Sequence, residues 1–363
     1  MSSLVPRRDD LAALSGYHSP QVPAKVRLNT NESPFPAPET WRDELAGALE
    51  RIEFNRYPDR LASELRAGLA EYHGVDASEV FCANGSNEAL QCLLLAYGGP
   101  GRRALIFEPT YALHSHISRL TGTEVASAGR ASDFRIDADD VERVLDEAQP
   151  TVTFVCSPNN PTGRAETPEL VARVLSRAPG LVVVDEAYGQ FASWSALELR
   201  GSGRAGPTAT DADGLVVVRT FSKTWSMAAA RLGYLIADPA VVAACDDAAL
   251  PYHLSAMTQV AGVLALKYRT EMEGRVALVA EERGRLAAAL AALPVETWPS
   301  DANFILFRPH ERAAGEVWEG LVERSVLIRN CSSWPGLPGC LRVTVGTPSE
   351  NDRFVDALEE ILR

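Results

Sequence analysis

From about residue 80 to residue 240, short apolar runs alternate with stretches of helical periodicity: VFCA, ALIFE, TVTFVC, LVVVDE, LVVVRT and LGYLIA. Short apolar runs bounded by polar segments predict buried strands, and strands alternating with helices predict an α/β domain with a mostly parallel sheet. In such sheets a ligand binds outside the carboxyl ends of the strands. Polar clusters follow the runs at that end: NGSNE after VFCA, EPTY after ALIF, SPNNPTG after TVTFVC, DEAY after LVVV, and TFSK after LVVVR. Their convergence predicts one site.

The flanking segments read differently. Residues 19–40, rich in proline and asparagine, predict an extended arm. Helices are expected at 40–53 and 60–73, on either side of the NRYPD loop. After about residue 240 a helical stretch runs over 254–292. FILF, a helix near 315–324, VLIR, LRVTVG and a last helix opening near Ser349 complete a smaller α+β unit. The expected division is an arm and part of the small domain at 1–35, a large domain at 36–250 and a small domain at 251–363. Pro251 is the boundary mark.

The 363 residues carry a net charge of −13, an acidic balance that argues against nucleic acid or an anionic membrane surface as partner. No apolar run is long enough to span a bilayer. MSSLVPRRDD has no apolar leader core. The cysteines at 82, 92, 156, 245, 331 and 340 include no CxxC pair, so they read as reduced thiols of a cytoplasmic protein, with no metal site. His114 and His116 read as packing or surface residues. Gly201, Gly203 and Gly206 fit GxGxxG but neither follow a strand nor open a helix, so a dinucleotide site is rejected.

Lysine is nearly absent. Lys25, Lys223 and Lys267 stand against thirty-two arginines. Arginine stays protonated and cannot act as an amine nucleophile, whereas a desolvated lysine can. Lys223 lies between two hydroxyl residues at a strand end, eight residues before Arg231. Asp185 ends another buried strand and requires a cation or a donor there. Gly85, Ser86 and Asn87 precede a helix, where free N–H groups receive an anion. Asn160, Tyr188, Thr220 and Ser222 add polar groups, and Tyr111 an aromatic face. A phosphate-bearing aromatic aldehyde with a basic ring nitrogen satisfies the set, and pyridoxal phosphate is such a molecule.

In this order and spacing, LNTNESP, NRYPD, ANGSNEAL, EPTY, CSPNNPTG, DEAY, RTFSK, ARLGY, ANFILF, VLIRN and GCLRVTVGT resemble the class I/II family of fold-type I pyridoxal-phosphate aminotransferases. Within it they are similar to the histidinol-phosphate branch, over nearly the whole chain. The resemblance implies roles. Lys223 would be the Schiff-base lysine, and Asp185 would pair with the pyridine nitrogen. Asn160 and Tyr188 would bind the ring oxygen, and Tyr111 would stack on the ring. Gly85, Ser86, Asn87, Thr220, Ser222 and Arg231 would hold the phosphate. Tyr57 would reach the partner's cofactor across a homodimer interface. Tyr17, Asn31, Arg329 and Arg342 would face the small-molecule substrates, an amino donor and a 2-oxo acid. Ala229-Ala230 replaces the Gly-Leu frequent in relatives, an expected change of helix packing only.

The arginine pair suits phosphate or carboxylate. An aromatic amino acid aminotransferase or a phospho-amino-acid decarboxylase on the same scaffold therefore stays open. A non-catalytic pyridoxal-binding module would call for an appended DNA-binding segment, which these motifs leave no room for.

Overall fold

The computed structural model describes residues 22–202 and 214–363, with Val5 and Leu11. Tyr17, Gly203, Gly206 and most of the 200–214 loop lie outside the described residues.

The strands are β1 (Val26–Leu28), β2 (Val80–Ala83), β3 (Arg103–Glu108), β4 (Glu124–Gly129), β5 (Val152–Cys156), β6 (Leu181–Asp185), β7 (Leu215–Thr220), β8 (Gly233–Ile236), β9 (Val295–Thr297), β10 (Phe304–Pro309), β11 (Val326–Asn330) and β12 (Leu341–Thr344). Seven form one sheet in the order β2-β8-β7-β6-β5-β3-β4. All pairings are parallel except the two that β8 makes, with β2 and β7. Because β8 alone runs backwards, β2 points the same way as β7, and the carboxyl ends of the other six strands share one edge. The parallel strands β5 and β6 and the flanking β7 read as valine-rich runs because helices cover both faces. One face packs Leu90, Leu93, Val216 and Val242, and the other packs Leu145, Val171, Val174 and Val217.

Helix starts follow local chemistry. Thr167 accepts a hydrogen bond from Leu170 N and Pro168 opens the helix Pro168–Arg177. Thr347 and Glu350 form a capping box for Pro348–Leu362, so this helix begins at the Ser349 region, as expected. The helical stretch of 254–292 is two helices, Ala256–Lys267 and Arg269–Ala291, interrupted at Tyr268. The expected helices at 40–53 and 60–73 are Glu39–Leu49 and Ser63–His73.

The second sheet has the order β1-β11-β12-β10-β9. Its strand β1 comes from the proline-rich arm and lies parallel to β11, Val26 opposite Val326 and Leu28 opposite Ile328. Phe304, Phe307, Val343 and Phe354 lie in the core beneath this sheet. The arm thereby leaves β1 at Leu28 and carries Asn29–Glu32 onto the carboxyl edge of the large sheet.

Candidate active site

A cavity of about 300 Å³ opens at that edge. Asn31, Ser86, Asn87, Tyr111, Asn160, Asp185, Tyr188, Thr220, Ser222, Lys223, Arg231 and Arg342 all line it, joined by Asn29, Thr30, Glu32 and Cys156. The register explains the convergence. Cys156 sits opposite Asp185, Asp185 opposite Val218, and both Thr220 and Ala83 opposite Gly233. Strand ends that are level with one another or two residues apart thus deliver their side chains to one place.

At one end lies an anion cradle. Gly85 precedes the helix Ser86–Tyr97 with φ +79°, a conformation that favours glycine. A Cβ there would also come within 2.7 Å of Arg231 Nη2. Arg231 Nη1 lies 3.3 Å from Ser222 Oγ, and Ser222 Oγ lies 3.0 Å from Thr220 Oγ1. Guanidinium, two hydroxyls and the first free N–H groups of a helix face the same space. Asn87 Oδ1 accepts from Tyr111 Oη at 3.2 Å, which fixes the Tyr111 ring beside the cradle.

Asp185, only 2% exposed, marks the deep end. Its Oδ1 accepts from Ala187 N at 3.0 Å and its Oδ2 accepts from His114 Nε2 at 2.8 Å. His114 is fully buried and stacks on Phe154, with ring centroids 4.7 Å apart and an angle of 9°. From sequence His114 reads as a packing or surface residue, and the structure sets it against Asp185 instead. Its place in the site is set by the helix Ala112–Leu120, which opens at the end of β3. Tyr111 caps that helix, and a residue three further on shares its face. That spacing was the available signal.

Lys223 is half-buried, and its Nζ donates to Thr30 O at 3.0 Å. Burial, with the positive fields of Arg342 and Arg231, brings its pKa down to about 8, against an opposing contribution from Glu32. A free amine is therefore accessible near neutral pH. Tyr188 is buried, and its hydroxyl accepts from Asn31 Nδ2 at 2.8 Å. Burial pushes the Tyr188 phenol above its ordinary range. Asn31 is held in turn by Thr344 on β12, through its own N–H and Oδ1, both at 3.0 Å.

Arg342 also rises from β12. It donates to Asn160 Oδ1 at 2.5 Å and to Asn29 O at 2.9 Å, with its guanidinium 5.1 Å over the Phe304 ring. Arg329 sits opposite Arg342 on the β11–β12 ladder. Its guanidinium lies 5.3 Å over Trp334, and it is not among the residues lining the cavity. Tyr57 is also outside it, 80% exposed and stacked on Tyr252 at 4.5 Å. Below the site, the buried Glu186 accepts from Arg219 Nε and Nη2 at 3.0 and 2.6 Å, which ties the residue after Asp185 to the residue before Thr220.

The six cysteines are buried and unpaired, and burial pushes the Cys156 thiol upward. Among the described residues no cluster of His, Cys, Asp and Glu could hold a metal. No helix among them is long and apolar enough to cross a membrane.

A strand-end lysine, a buried carboxylate and a guanidinium beside two hydroxyls meet at this sheet edge, and comparison with known proteins bears on what they form. Residues 23–358 match the family described as Aminotransferase class I and II. The chain belongs to that family. A histidinol-phosphate aminotransferase from Thermobifida fusca is 46% identical over 362 residues, 98% of this chain and 95% of that one. Among solved structures, a histidinol-phosphate aminotransferase from Sinorhizobium meliloti in complex with pyridoxal-5'-phosphate superposes over 99% of each chain, with a TM-score of 0.87 at 22% identity. An L-threonine-O-3-phosphate decarboxylase from Porphyromonas gingivalis also shares the fold, with a TM-score of 0.79 at 24% identity over 93% of this chain and 99% of that one. The architecture is thus the fold-type I one, which alone does not choose between transfer and decarboxylation.

Proposed function

We propose that this chain is a pyridoxal-phosphate aminotransferase converting L-histidinol phosphate and 2-oxoglutarate to imidazole acetol phosphate and L-glutamate, a step of histidine biosynthesis. The observation that carries the reading is the single cavity in which Lys223, Asp185, the Arg231 cradle and Arg342 meet. The near-full-length identity to a histidinol-phosphate aminotransferase supports the substrate.

The residues fit the cofactor. The Gly85–Arg231 cradle suits its phosphate, the Asp185 carboxylate suits a protonated ring nitrogen, and Asn160 and Tyr188 suit a ring oxygen between them. Bound there, pyridoxal phosphate supplies the carbonyl that takes up the amino group and the conjugated ring that accepts electrons. Asp185, fixed by His114 and Ala187 N, would present its carboxyl group to the ring nitrogen. Lys223 Nζ removes the proton from the carbon that bears the substrate's amine and later gives it back, a task that suits a pKa of about 8. Arg342, held by Asn160 and Asn29 O, presents a planar donor pair to an anionic substrate group. Asn31 links Tyr188 to Thr344 and so ties the ring-oxygen site to the small sheet.

The same reading includes a cytoplasmic homodimer. Phe54, Tyr57, Leu250, Tyr252 and Met257 are large apolar or aromatic side chains left exposed in the single chain. Covering them with a second copy would bring Tyr57 to the partner's cradle, and sedimentation of the wild type against Tyr57→Ala tests this. A domain division near Pro251, with the arm through residue 35 assigned to the small unit, belongs to the same proposal, as do substrate contacts by Tyr17 and Arg329.

The deciding experiment compares kcat/KM for L-histidinol phosphate and L-phenylalanine, with pyridoxal phosphate and 2-oxoglutarate. A preference of orders of magnitude for histidinol phosphate supports the proposal. Comparable turnover of phenylalanine would make it an aromatic aminotransferase, with Arg342 reading a carboxylate. Release of carbon dioxide would make it a decarboxylase.

A further inference from the structure

Two carboxylates line the main cavity, Asp185 and Glu32. Asp185 is engaged by His114 and Ala187 N. Glu32 has no task in the reading above. It is exposed, and its carboxylate makes no hydrogen bond or ion pair with any described residue.

The segment that carries it is nonetheless fixed. Asn29 O accepts from Arg342 Nη2 at 2.9 Å, Thr30 O from Lys223 Nζ at 3.0 Å, and Asn31 O from Asn303 Nδ2 at 3.2 Å. Asn29 and Asn31 are 3 and 1% exposed. Asn31 has φ +56°, and its N–H and Oδ1 are both held by Thr344. Glu32 therefore leaves a rigid stretch of backbone at the cavity wall, with a side chain free to take a partner. Its negative field reaches the Lys223 amine, where it opposes the effect of Arg342. The carboxylate thus stands near the atom that takes the proton from the amino donor.

The proposed donor carries two arms on the carbon that bears its amine. One ends in a phosphate, which suits the Arg342 guanidinium. The other is a methylene group bearing an imidazole ring, which has an N–H to donate in both its neutral and its cationic form. That ring lies one methylene from the carbon that Lys223 deprotonates, and so within reach of a carboxylate beside Lys223. Of the two lining carboxylates only Glu32 is free to accept from it.

We propose that Glu32 is a specificity-determining residue for the amino donor: its carboxylate accepts from the imidazole N–H while Arg342 takes the phosphate. The two opposite charges sort the arms, since Glu32 repels the phosphate and Arg342 repels a cationic ring. A carbocyclic ring of the same size brings no donor, so Glu32 loses water and gains no partner, and such a ring is disfavoured. The inference deepens the proposed function and rests on its choice of donor.

The test uses the holoenzyme as wild type, Glu32→Gln and Glu32→Leu, with 2-oxoglutarate as acceptor. The probes are L-histidinol phosphate and L-phenylalaninol phosphate, which share the amine and the phosphate and differ in the ring. The quantity read is the ratio of their kcat/KM values, in which any general effect on Lys223 cancels. It should fall about 10–100-fold in Glu32→Leu, and by less in Glu32→Gln, whose amide keeps a neutral acceptor. An unchanged ratio in Glu32→Leu overturns the proposal, and with both esters slowed alike it places Glu32 on the amine or on Lys223 instead. The second readout is calorimetry on the holoenzyme with the same two esters lacking the amine, which bind without reacting. The ratio of their dissociation constants should shift toward equality in Glu32→Leu, and no shift overturns the proposal. Should the wild type transfer from neither ester, the choice of donor fails, and the calorimetric ratio still decides Glu32.

Discussion

Replacing His114 with Phe isolates one hydrogen bond at the base of the site. The phenyl ring keeps the stack on Phe154, so packing is largely preserved while the Nε2 donor to Asp185 disappears. Two effects on stability oppose each other. A hydrogen bond to a charged group is lost, worth about 1.5–3 kcal/mol. Nδ1 of His114 is buried without a partner, and removing it returns about 1–3 kcal/mol. Unfolding of the cofactor-free chain in urea should therefore change by no more than about 2 kcal/mol in either direction. Binding of the cofactor has no such compensation. Asp185 keeps only the Ala187 N–H and loses the contact that aims its second oxygen. If that contact's 1.5–3 kcal/mol is felt in the complex, the dissociation constant of pyridoxal phosphate rises about 10–150-fold. Equilibrium dialysis of the wild type and the variant measures it. Unchanged cofactor affinity together with a stability loss beyond about 3 kcal/mol would refute the reasoning and leave His114 as a packing residue.

Other outcomes follow from the same geometry. Lys223→Arg keeps the charge and roughly the length but has no amine to deprotonate, so it should give no detectable keto product in a coupled assay. The pH dependence of cofactor uptake tests the depressed lysine. The uptake rate should rise about tenfold per pH unit below about 8 and level off above it, whereas a rise continuing toward 10.5 would remove the depression. The stability sign is fixed by the same shift. Between about 8 and 10.5 the unfolded chain binds the lysine proton that the folded chain has released, so the group's contribution to folding improves as pH rises through that window. At the Glu186–Arg219 pair, Arg219→Met should destabilise by about 3–5 kcal/mol because it leaves a buried carboxylate with only neutral donors, Ser195 Oγ and Ala196 N. Adding Glu186→Leu should recover much of that loss in urea unfolding, and strictly additive losses would speak against the pairing.

The sheet was legible where its strands are buried on both faces. LVVVD and LVVVRT admit no other simple reading, because helices on either side leave no polar face. Strand β4, EVASAG, carries no strand signal because it is an edge strand with small, half-exposed side chains and no apolar run. The reversal of β8 left no mark in LGYLIA, since burial hides direction. In the arm, VRL is too short to show alternation, and its pairing with β11 lies some 300 residues away. The cavity was legible as a set of strand-end clusters, because a parallel sheet places all such ends on one edge. The finer contacts were not. Nothing in the sequence says that, of two arginines facing each other across β11 and β12, one reaches Asn160 and the other lies over Trp334.

The contact between Asn31 and Thr344 spans 313 positions of the chain. During synthesis at about 5–20 residues per second, that separation corresponds to roughly 15–60 s in which Asn31 exists and its partner does not. The large sheet can gather its strands in that interval, since β2 through β8 are complete by residue 236. The nascent chain would then hold Lys223, Asp185 and the phosphate cradle before it holds Arg342. On the proposed assignments the cofactor-side residues are thus synthesised before Arg342, and β12 is the last strand of either sheet to emerge.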